Sequence, residues 1–400
     1  MNFFDRGAST AGTAGRRAAP IAGRRALAVL AHRWATPAPT PEAPATRLLL
    51  CLHGVLGSKA NWSTPAKLLV KAAETAGAGG WHALCLDHRA HADSPAASPP
   101  HTVDACAMDV EQTLEAFESS GLLRLAPGIT GVPLVVVGHS FGGKVALALA
   151  RRRCERGLPP AQQTWLIDSN PGPLASATFD AAYARALADA AEAAGESGRE
   201  PDSAVECAAE LAAEAAEAEA GRAELNVAFV LAAVERAVAD APSDPASSAG
   251  SAGSEDGAVF SSRAEFESVL GRQGLPKALA QWLAQSARPA SPGGSAAGPV
   301  RLGHDLSVIL DLLRSYRRTD LWHVLEDRAA QGQGAPPAVG VIVGGLNRGA
   351  WGEAALARLD AAAASSGGRV RVCVLETAGH NVHVDDLVRL LEEVAPTLRA

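Results

Sequence analysis

The sequence lacks the long apolar runs, paired cysteines and one-sided charge that mark several classes of protein. No apolar run reaches about 18 residues, the length of a membrane-spanning helix, so no membrane span is expected. The six cysteines include no C-x-x-C pair, which favours reduced thiols in a reducing compartment. The net charge is −7 with both signs mixed over most of the chain, so no nucleic-acid surface is expected. Apolar residues make up 48% of the chain, which is enough for a sizeable core.

Acidic residues are nearly missing from residues 1–25, which hold only Asp5 against five arginines. The segment is also rich in alanine, glycine, serine and threonine, a composition typical of an organelle transit peptide. A disordered basic tail has the same composition, and this alternative stays open. The sequence therefore predicts a chloroplast or mitochondrial location, or a cytoplasmic one if the segment is only a tail.

The most informative motif is G-H-S-F-G at residues 138–142, between an apolar β-branched run at 133–137 and a helical pattern at 145–150. The run is typical of a buried strand in a parallel sheet. A strand, a G-x-S-x-G turn and a helix form the nucleophile elbow of an α/β-hydrolase, where small residues let the chain approach closely around a strained serine. The pattern predicts Ser140 as the nucleophile. The alternative is an ordinary strand-to-helix turn with a capping serine.

A second glycine-containing turn, H-G-V-L-G at residues 53–57, follows the predicted strand 47–52. In an α/β-hydrolase this loop supplies one backbone N–H of the oxyanion hole, and the residue after the nucleophile supplies the other. The candidates are therefore Val55 and Phe141, with Leu56 as the fallback for Val55. His53 is expected to brace the loop rather than to transfer protons.

A third loop, at residues 87–95, has the D-x-R-x-H-G-x-S pattern common in hydrolases of this fold, except that Ala92 stands where glycine is usual. If position 92 needs a positive φ, the loop is strained or rearranged. His88 and His91, with Asp87 and Asp93, raise the question of a metal ion. Because no third ligand has motif spacing, no metal site is expected.

The general base is expected after the last predicted strand, 370–375, in a loop that contains His380 and His383. A histidine at this place takes the serine proton and later protonates the leaving group. His380, in the sequence Ala-Gly-His, is the preferred base, and His383 is expected to pack or hydrogen-bond beside it. A helix is predicted from residue 384 to about 394, ending before Pro396.

The acid of the triad is less clearly marked. In most α/β-hydrolases it follows the strand after the lid, but the predicted strand 338–343 leads into residues 344–349, which include no carboxylate. Asp168 ends the predicted strand 164–168, which neighbours the nucleophile strand in this fold, so its carboxylate can reach the base. We therefore prefer Asp168, for which the alternative is a turn-capping role. The remaining candidates are Asn347 as a neutral orienting group, Glu353 and Asp360.

The chain is expected to form one α/β-hydrolase core, with a mostly parallel sheet flanked by helices, from residues 26–171 and 337–400. Residues 172–336 between them are predicted to form a helical lid. The lid has two low-complexity inserts, at about 240–257 and 291–298, which are expected to be disordered. Residues 35–46, with four prolines, are expected to be coil.

Two lid segments have helical character. Residues 204–220 have high helix propensity but a thin apolar face, so an exposed or fraying helix is expected. A second segment has apolar residues at helical spacing, which we assign to the core rather than to a dimer interface. These residues are Leu225, Phe229, Val230, Val234 and Val238.

Several stretches together resemble the abhydrolase-domain-11-like branch of the α/β-hydrolase superfamily. They are G-H-S-F-G-G-K at 138–144, the loop 53–58 with Trp62, D-S-N-P at 168–171 and G-H-N-V-H at 379–383. Plant and algal members look closest, through the stretches 274–283 and 311–322, and the resemblance covers about residues 26–398 apart from the inserts. It implies Asp168 as the acid, because bacterial members carry the acid after the corresponding strand. Two departures, Ala92 for glycine and Asn381 for tryptophan, bear on loop geometry and pocket shape.

These features predict a serine hydrolase that cleaves a carboxylic ester or thioester through an acyl-enzyme on Ser140, with His380 as base and Asp168 as its orienting acid. An acyltransferase using the same triad is one alternative, and a non-catalytic hydrolase-fold protein that binds a partner through its lid is another. No cofactor or metal is expected. The expected partner is a small acyl-ester substrate, and the expected oligomeric state is a monomer or weak dimer.

Overall fold

A seven-stranded sheet forms the centre of the molecule, in the order β1-β3-β2-β4-β5-β9-β10. The computed structural model describes residues 29–95, 98–126, 132–174, 259–291, 294–295, 298–326 and 337–399, with a few helical positions between 185 and 238. β1 pairs antiparallel with β3, and the other neighbouring strands are parallel. The strands of this sheet are β1 His32–Trp34, β2 Arg47–Leu52, β3 Trp81–Leu86, β4 Val132–His139, β5 Ala161–Ile167, β9 Val339–Gly344 and β10 Val370–Leu375.

Both faces of the sheet are buried, which explains why its strands are nearly continuous apolar runs. Successive side chains of a strand point to opposite faces. In β2, Leu48, Leu50 and Leu52 pack in one hydrophobic cluster, whereas Leu49 and Cys51 pack in a second. Each fully buried leucine contributes about 1.5–3 kcal/mol through the hydrophobic effect. The sheet is therefore a rigid platform, and its carboxyl-end loops are held in fixed positions.

Helices cover the sheet on either side, and one of them begins at a threonine cap. Thr102 Oγ1 accepts a hydrogen bond from the Ala105 N–H at 3.1 Å before the helix that contains Val110 and Leu114. The helices of the core are α1 Ser63–Thr75, α2 Val103–Ser119, α3 Phe141–Glu155, α8 Arg348–Trp351, α9 Glu353–Ser365, α10 Val382–Asp385 and α11 Leu387–Val394, with 3₁₀ turns at Lys59–Trp62, Gly345–Asn347 and Ala395–Leu398.

The described residues between β5 and β9 include a separate hydrophobic cluster, and this part of the molecule is called the cap. The cap contains α4 Arg263–Arg272, α5 Lys277–Ala284, α6 Leu306–Arg318 and α7 Trp322–Glu326. It also contains a small antiparallel sheet in the order β6-β8-β7, made of Val259–Phe260, Val300–Arg301 and Arg288–Pro289. The sequence predicted a helical lid, and this small sheet was not predicted. Strands of two residues are too short to produce a recognisable sequence pattern. Leu56 belongs to the same cluster, so the cap rests on the loop after β2.

The fold class that the sequence predicts is confirmed, with two local differences. β1 was not predicted, because three residues are too short for a pattern. The helix expected over residues 384–394 is broken at Asp386, whose non-helical φ of −142° and ψ of 62° separate α10 from α11. Val230 and Val234 pack in the cap cluster, as expected of core residues.

Other predictions lie outside the described residues. They concern the segment 1–25, the segment 204–220, Leu225, Phe229 and the insert 240–257. The domain boundaries stay predictions. No helix in the described part of the chain is long and apolar enough to span a membrane.

Candidate active site

Ser140 lies in the sharp turn between β4 and α3, with φ 51° and ψ −118°. A non-glycine residue keeps such a conformation only where its surroundings hold it. The flanking glycines are required by close contacts: a Cβ on Gly138 would lie 2.1 Å from the Gly142 carbonyl oxygen, and one on Gly142 would lie 2.5 Å from that of His53. The G-x-S-x-G spacing therefore holds Ser140 at the carboxyl edge of the sheet.

Asp168 and His380 form a direct pair at the same edge. The Asp168 Oδ2 lies 2.7 Å from the His380 Nδ1. Because a carboxylate can only accept, Nδ1 carries the proton in the neutral ring and Nε2 is left as an acceptor. This is the tautomer that a general base for a serine hydroxyl requires.

Further donors hold the Asp168 carboxylate, which is fully buried as a side chain. The Gly344 N–H donates to Oδ1 at 3.0 Å, the Trp351 Nε1 donates to Oδ1 at 2.8 Å, and the Asn347 Nδ2 donates to Oδ2 at 2.5 Å. Asp168 itself has a positive φ of 45°. A fixed and fully hydrogen-bonded carboxylate orients the imidazole without rearrangement.

The other acid candidates do not take this position. Asn170, not Asp168, caps the following turn, since its Oδ1 accepts from the Gly172 N–H at 2.9 Å. Glu353 and Asp360 lie exposed on α9, and neither forms a hydrogen bond or ion pair with His380 within the described residues. Asn347 does reach the pair, with its Nδ2 3.4 Å from the His380 Nδ1.

His139 connects the turn of Ser140 to the loop of His380. Its Nε2 lies 2.9 Å from the carbonyl oxygen of His380, so Nε2–H donates to the main chain of the candidate base. Burial lowers the pKa of His139 well below its usual 6.5, and this ring is therefore neutral at neutral pH.

The described hydrogen bonds do not include the expected one between Ser140 Oγ and the free nitrogen of His380. Such bonds are often loose in ligand-free sites and tighten when substrate is bound.

The loop after β2 distinguishes between the two candidates for its oxyanion donor. The Leu56 N–H donates to the His91 Nε2 at 3.2 Å, so it is already used. No described residue accepts from the Val55 N–H, and Phe141 begins α3, where backbone N–H groups lack helical partners. Val55 and Phe141 therefore stay the candidate oxyanion donors, and Leu56 does not.

Four buried histidines support that loop from below. His53 accepts from the His88 N–H on Nε2 at 3.1 Å and donates from Nδ1 to the Gly54 carbonyl at 2.7 Å, which fixes its tautomer in a bracing role. The His91 ring lies 5.1 Å from His53 and 5.2 Å from His304, which comes from the cap. Burial lowers the pKa of His88 to about 3, of His91 to about 4 and of His304 to about 3.

These low pKa values predict that acid destabilises the fold. Between about pH 6.5 and 4 the histidines bind protons in the unfolded chain but not in the folded one, so the free energy of unfolding falls as pH falls. Each histidine contributes up to about 1.4 kcal/mol per pH unit in that range. Urea unfolding at pH 7.5, 6 and 5 measures the slope, and His304→Gln is expected to reduce it. A free energy of unfolding that is the same at pH 7.5 and 5 would contradict this account.

The third loop keeps positive φ values without glycine, at 58° for Ala90 and 43° for Ala92. The strain expected at position 92 is therefore present. His88 Nε2 donates to the His53 carbonyl at 3.0 Å, and His91 Nδ1 donates to the Arg89 carbonyl at 2.9 Å. Within the described residues, no group of three or more His, Cys, Asp or Glu side chains is arranged to hold a metal ion.

His383 packs beside the candidate base. Its ring is buried, stacks on Trp62 with a centroid distance of 5.0 Å and lies 4.7 Å from the ring of His139. Burial lowers the pKa of His383 to about 4. The role expected for it beside His380 is therefore one of packing.

Two residues near Ser140 were missed by sequence reasoning. The buried Lys144 donates from Nζ to the carbonyls of Gly172 at 2.6 Å, Tyr316 at 2.5 Å and Thr319 at 3.2 Å, and so ties α6 of the cap to α3. Burial lowers the pKa of Lys144 to about 7.

The Tyr316 hydroxyl faces Ser140. Burial is the main cause that raises the pKa of Tyr316 to about 12, and the negative charge of Asp168 is the second. A neutral phenol therefore lies next to the candidate nucleophile. The partners are distant in sequence, so no local pattern predicts these contacts.

Comparisons with known proteins agree with this fold. A family model described as the alpha/beta hydrolase fold matches residues 47–160. An sn-1-specific diacylglycerol lipase, ABHD11, of Mus musculus is 39% identical over 105 residues, which are 26% of this chain and 28% of the relative. The Danio rerio protein of the same name is 31% identical over 139 residues, 35% of this chain and 37% of the relative. The matched stretches are thus well under half the length of the curated relatives.

Solved structures show the fold across most of the chain. A marine microorganism esterase has a TM-score of 0.54 and 14% identity, covering 92% of this chain and 99% of its own. An E-2-(acetamidomethylene)succinate hydrolase has a TM-score of 0.51 and 16% identity, covering 89% of this chain and 93% of its own. At these identities the likeness concerns the fold alone. The plant or algal type stays a prediction. The chain has the fold of the α/β-hydrolases, its residues 47–160 match their family model, and the stretch that the mouse and zebrafish relatives match is similar to ABHD11.

Proposed function

We propose that this protein is a serine hydrolase that cleaves carboxylic esters through an acyl-enzyme on Ser140. One observation carries the proposal: His380 donates from Nδ1 to the buried Asp168 at 2.7 Å, in a loop that His139 ties to the elbow of Ser140. A strained serine alone occurs in other turns. A strained serine beside an imidazole with a fixed tautomer is the arrangement that nucleophilic catalysis requires.

The proposed reaction has two halves. Ser140 Oγ attacks the ester carbonyl carbon while His380 Nε2 takes its proton, and the N–H groups of Val55 and Phe141 bind the oxyanion. The imidazolium then protonates the leaving alcohol, which departs as the acyl-enzyme forms. In the second half His380 takes a proton from water, the hydroxide attacks the acyl carbon, and the carboxylic acid is released with the proton returned to Ser140. An oxyanion donor typically contributes about 10²–10³ in kcat.

The proposed substrate class is a lipid or other apolar ester. The mouse and zebrafish relatives are named as diacylglycerol lipases, and the mouse match covers 26% of this chain. Because the match is partial, a diacylglycerol is simply the first substrate to test. The cap supports an apolar acyl group, because the side chain of Val55, whose N–H is a candidate oxyanion donor, packs against the apolar cap cluster. A thioester is the second substrate to test, because the same steps cleave it.

The test is hydrolysis of p-nitrophenyl esters, a diacylglycerol and an acyl thioester by the full chain, with the products identified by mass spectrometry. Release of free acid from an ester supports the proposal. Transfer of the acyl group to an added alcohol in preference to water would make the protein an acyltransferase on the same residues. No turnover of any of these substrates would favour a binding protein with a hydrolase fold.

We also propose that residues 1–25 direct the protein to a chloroplast or mitochondrion. Their excess of arginine over acid supports this. A fluorescent reporter carrying roughly the first 40 residues tests it, and a reporter that stays wholly in the cytosol would contradict it.

A further inference from the structure

The hydroxyl of Tyr316 belongs to the cap but lies at the candidate nucleophile. Tyr316 is on α6, within one turn of the end of that helix at Arg318. Its hydroxyl faces the hydroxyls of Ser140 and Ser169, and both are placed to hydrogen-bond with it. The steps of the proposed reaction use no group of the cap. The phenol is therefore a polar group beside the reacting oxygen that those steps leave without a role.

The position of Tyr316 is fixed from the core. Lys144 Nζ lies 4.3 Å from the centre of the phenol ring and donates to the Tyr316 carbonyl at 2.5 Å. The ring of Phe141, at the start of α3, lies 6.0 Å from the phenol ring. The neighbouring Ser315 accepts on Oγ from the Val103 N–H of α2 at 2.9 Å. This end of α6 is therefore attached to α2 and α3, and the phenol is held in place beside the elbow.

The phenol keeps its proton and is therefore a hydrogen-bond donor. Burial is the main cause that raises the pKa of Tyr316 to about 12, and the charge of Asp168 is the second. Ser169 has no part in the proposed reaction and keeps its own proton. Ser140 Oγ, by contrast, gives its proton to His380 and acquires negative charge, so it becomes the stronger acceptor for the phenol.

We infer that Tyr316 is a further catalytic residue, which donates a hydrogen bond to Ser140 Oγ and speeds the release of that oxygen from the acyl-enzyme. The inference rests on the proposed function, because it concerns one step of that reaction. In this step the bond between the acyl carbon and Oγ breaks, and its electron pair moves to Oγ. The proton on His380 Nε2 is transferred to Oγ, and the phenol keeps its own proton throughout.

The hydrogen bond is expected to act on deacylation more than on acylation. An interaction speeds a step only to the extent that it is stronger in the transition state than in the ground state. In the acyl-enzyme, Oγ is the bridging oxygen of an ester, which is a weak acceptor because its lone pair is delocalised into the carbonyl. It becomes a strong acceptor as its bond to carbon breaks. In the free enzyme Oγ is already a good acceptor, so the hydrogen bond strengthens less when Ser140 attacks.

Tyr316→Phe tests the inference, because it removes the hydroxyl and keeps the ring that contacts Lys144. On a p-nitrophenyl ester we expect kcat to fall at least about tenfold, as for loss of one donor to a charged transition state. KM is expected to fall in proportion, so that kcat/KM, which reports acylation, stays within about threefold of the natural value. Mass spectrometry of the intact protein during turnover is expected to show the acyl-enzyme accumulating on Ser140.

Thr319→Val is the matched control. It removes one hydroxyl from the same end of α6, where Thr319 Oγ1 donates to the Ser315 carbonyl at 2.6 Å, and it keeps the main-chain carbonyl that accepts from Lys144. It is expected to leave kcat and KM unchanged. If kcat and kcat/KM fall together in folded Tyr316→Phe, or if neither falls, the inference is overturned and the proposed function stands. A natural protein that forms no acyl-enzyme would overturn both.

A second measurement strengthens the donor instead of removing it. The chain has only two tyrosines, Tyr183 and Tyr316, so 3-fluorotyrosine incorporated into Tyr183→Phe alters Tyr316 alone. Fluorine makes the phenol a stronger hydrogen-bond donor. The acyl-enzyme, freed of excess ester, is therefore expected to lose its acyl mass faster than in the same variant with ordinary tyrosine. An equal or slower loss would overturn the inference, even if Tyr316→Phe does not fold.

Discussion

Replacing Ser140 by alanine is expected to abolish ester hydrolysis in a protein that still folds. The substitution removes only the oxygen that attacks the carbonyl, at an elbow whose packing depends on Gly138 and Gly142 rather than on that oxygen. Loss of the nucleophile in serine hydrolases lowers kcat by about 10⁴-fold or more. Initial rates on a p-nitrophenyl ester, with thermal unfolding measured alongside, test the prediction.

Ser169→Ala is the control for Ser140→Ala. Ser169 is a buried serine of the same edge, directly after Asp168, and loses the same atom. It is expected to keep turnover within a few-fold of the natural protein. Undiminished hydrolysis by a folded Ser140→Ala protein would show that another residue is the nucleophile.

Asp168→Asn is expected to have the second largest effect, a loss of about 10⁴-fold in kcat with a smaller loss in binding. The new amide would present a donor to His380 Nδ1, which favours the tautomer with its proton on Nε2. That tautomer cannot accept the serine proton. The loss arises from the wrong tautomer rather than from a collapsed pocket, because the new Oδ1 can still accept from Gly344 and Trp351.

Asp360→Asn is the matched control, because it makes the same chemical change at an exposed position on α9. It is expected to leave kcat unchanged, as is Glu353→Gln. The assignment of the acid is wrong if Asp168→Asn remains active or if either control variant loses activity to the extent expected of Asp168→Asn.

The elbow was predictable because its information is local. An apolar run, a five-residue turn and a helix lie within about twenty consecutive residues, and each has a steric reason that can be read from residue types. The loop of His380 was predictable in the same way, by its place after the last strand. The structure adds that His139, the variable residue of the motif, holds the main chain of His380, a contact between residues 241 positions apart.

The acid of the triad could not be chosen from local sequence patterns alone. Asp168 and Asn347 were both candidates because each follows a strand, and sequence spacing cannot say how far apart two strand ends lie. The pairing of β5 with β9 brings their loops together, and the structure places both side chains on one hydrogen-bond network with His380. The cap contacts of Lys144 and Tyr316 were unpredictable for the same reason, since they join α3 to a helix about 170 residues later.

Labelling with a fluorophosphonate, followed by peptide mapping, tests the central claim most directly. The reagent phosphonylates a serine that a neighbouring base activates, so it reports the working nucleophile without requiring the natural substrate. The account predicts a single modification on Ser140, absent from Ser140→Ala and much slower in Asp168→Asn. Failure of the folded natural protein to be labelled, or a label on any serine other than Ser140, would contradict it.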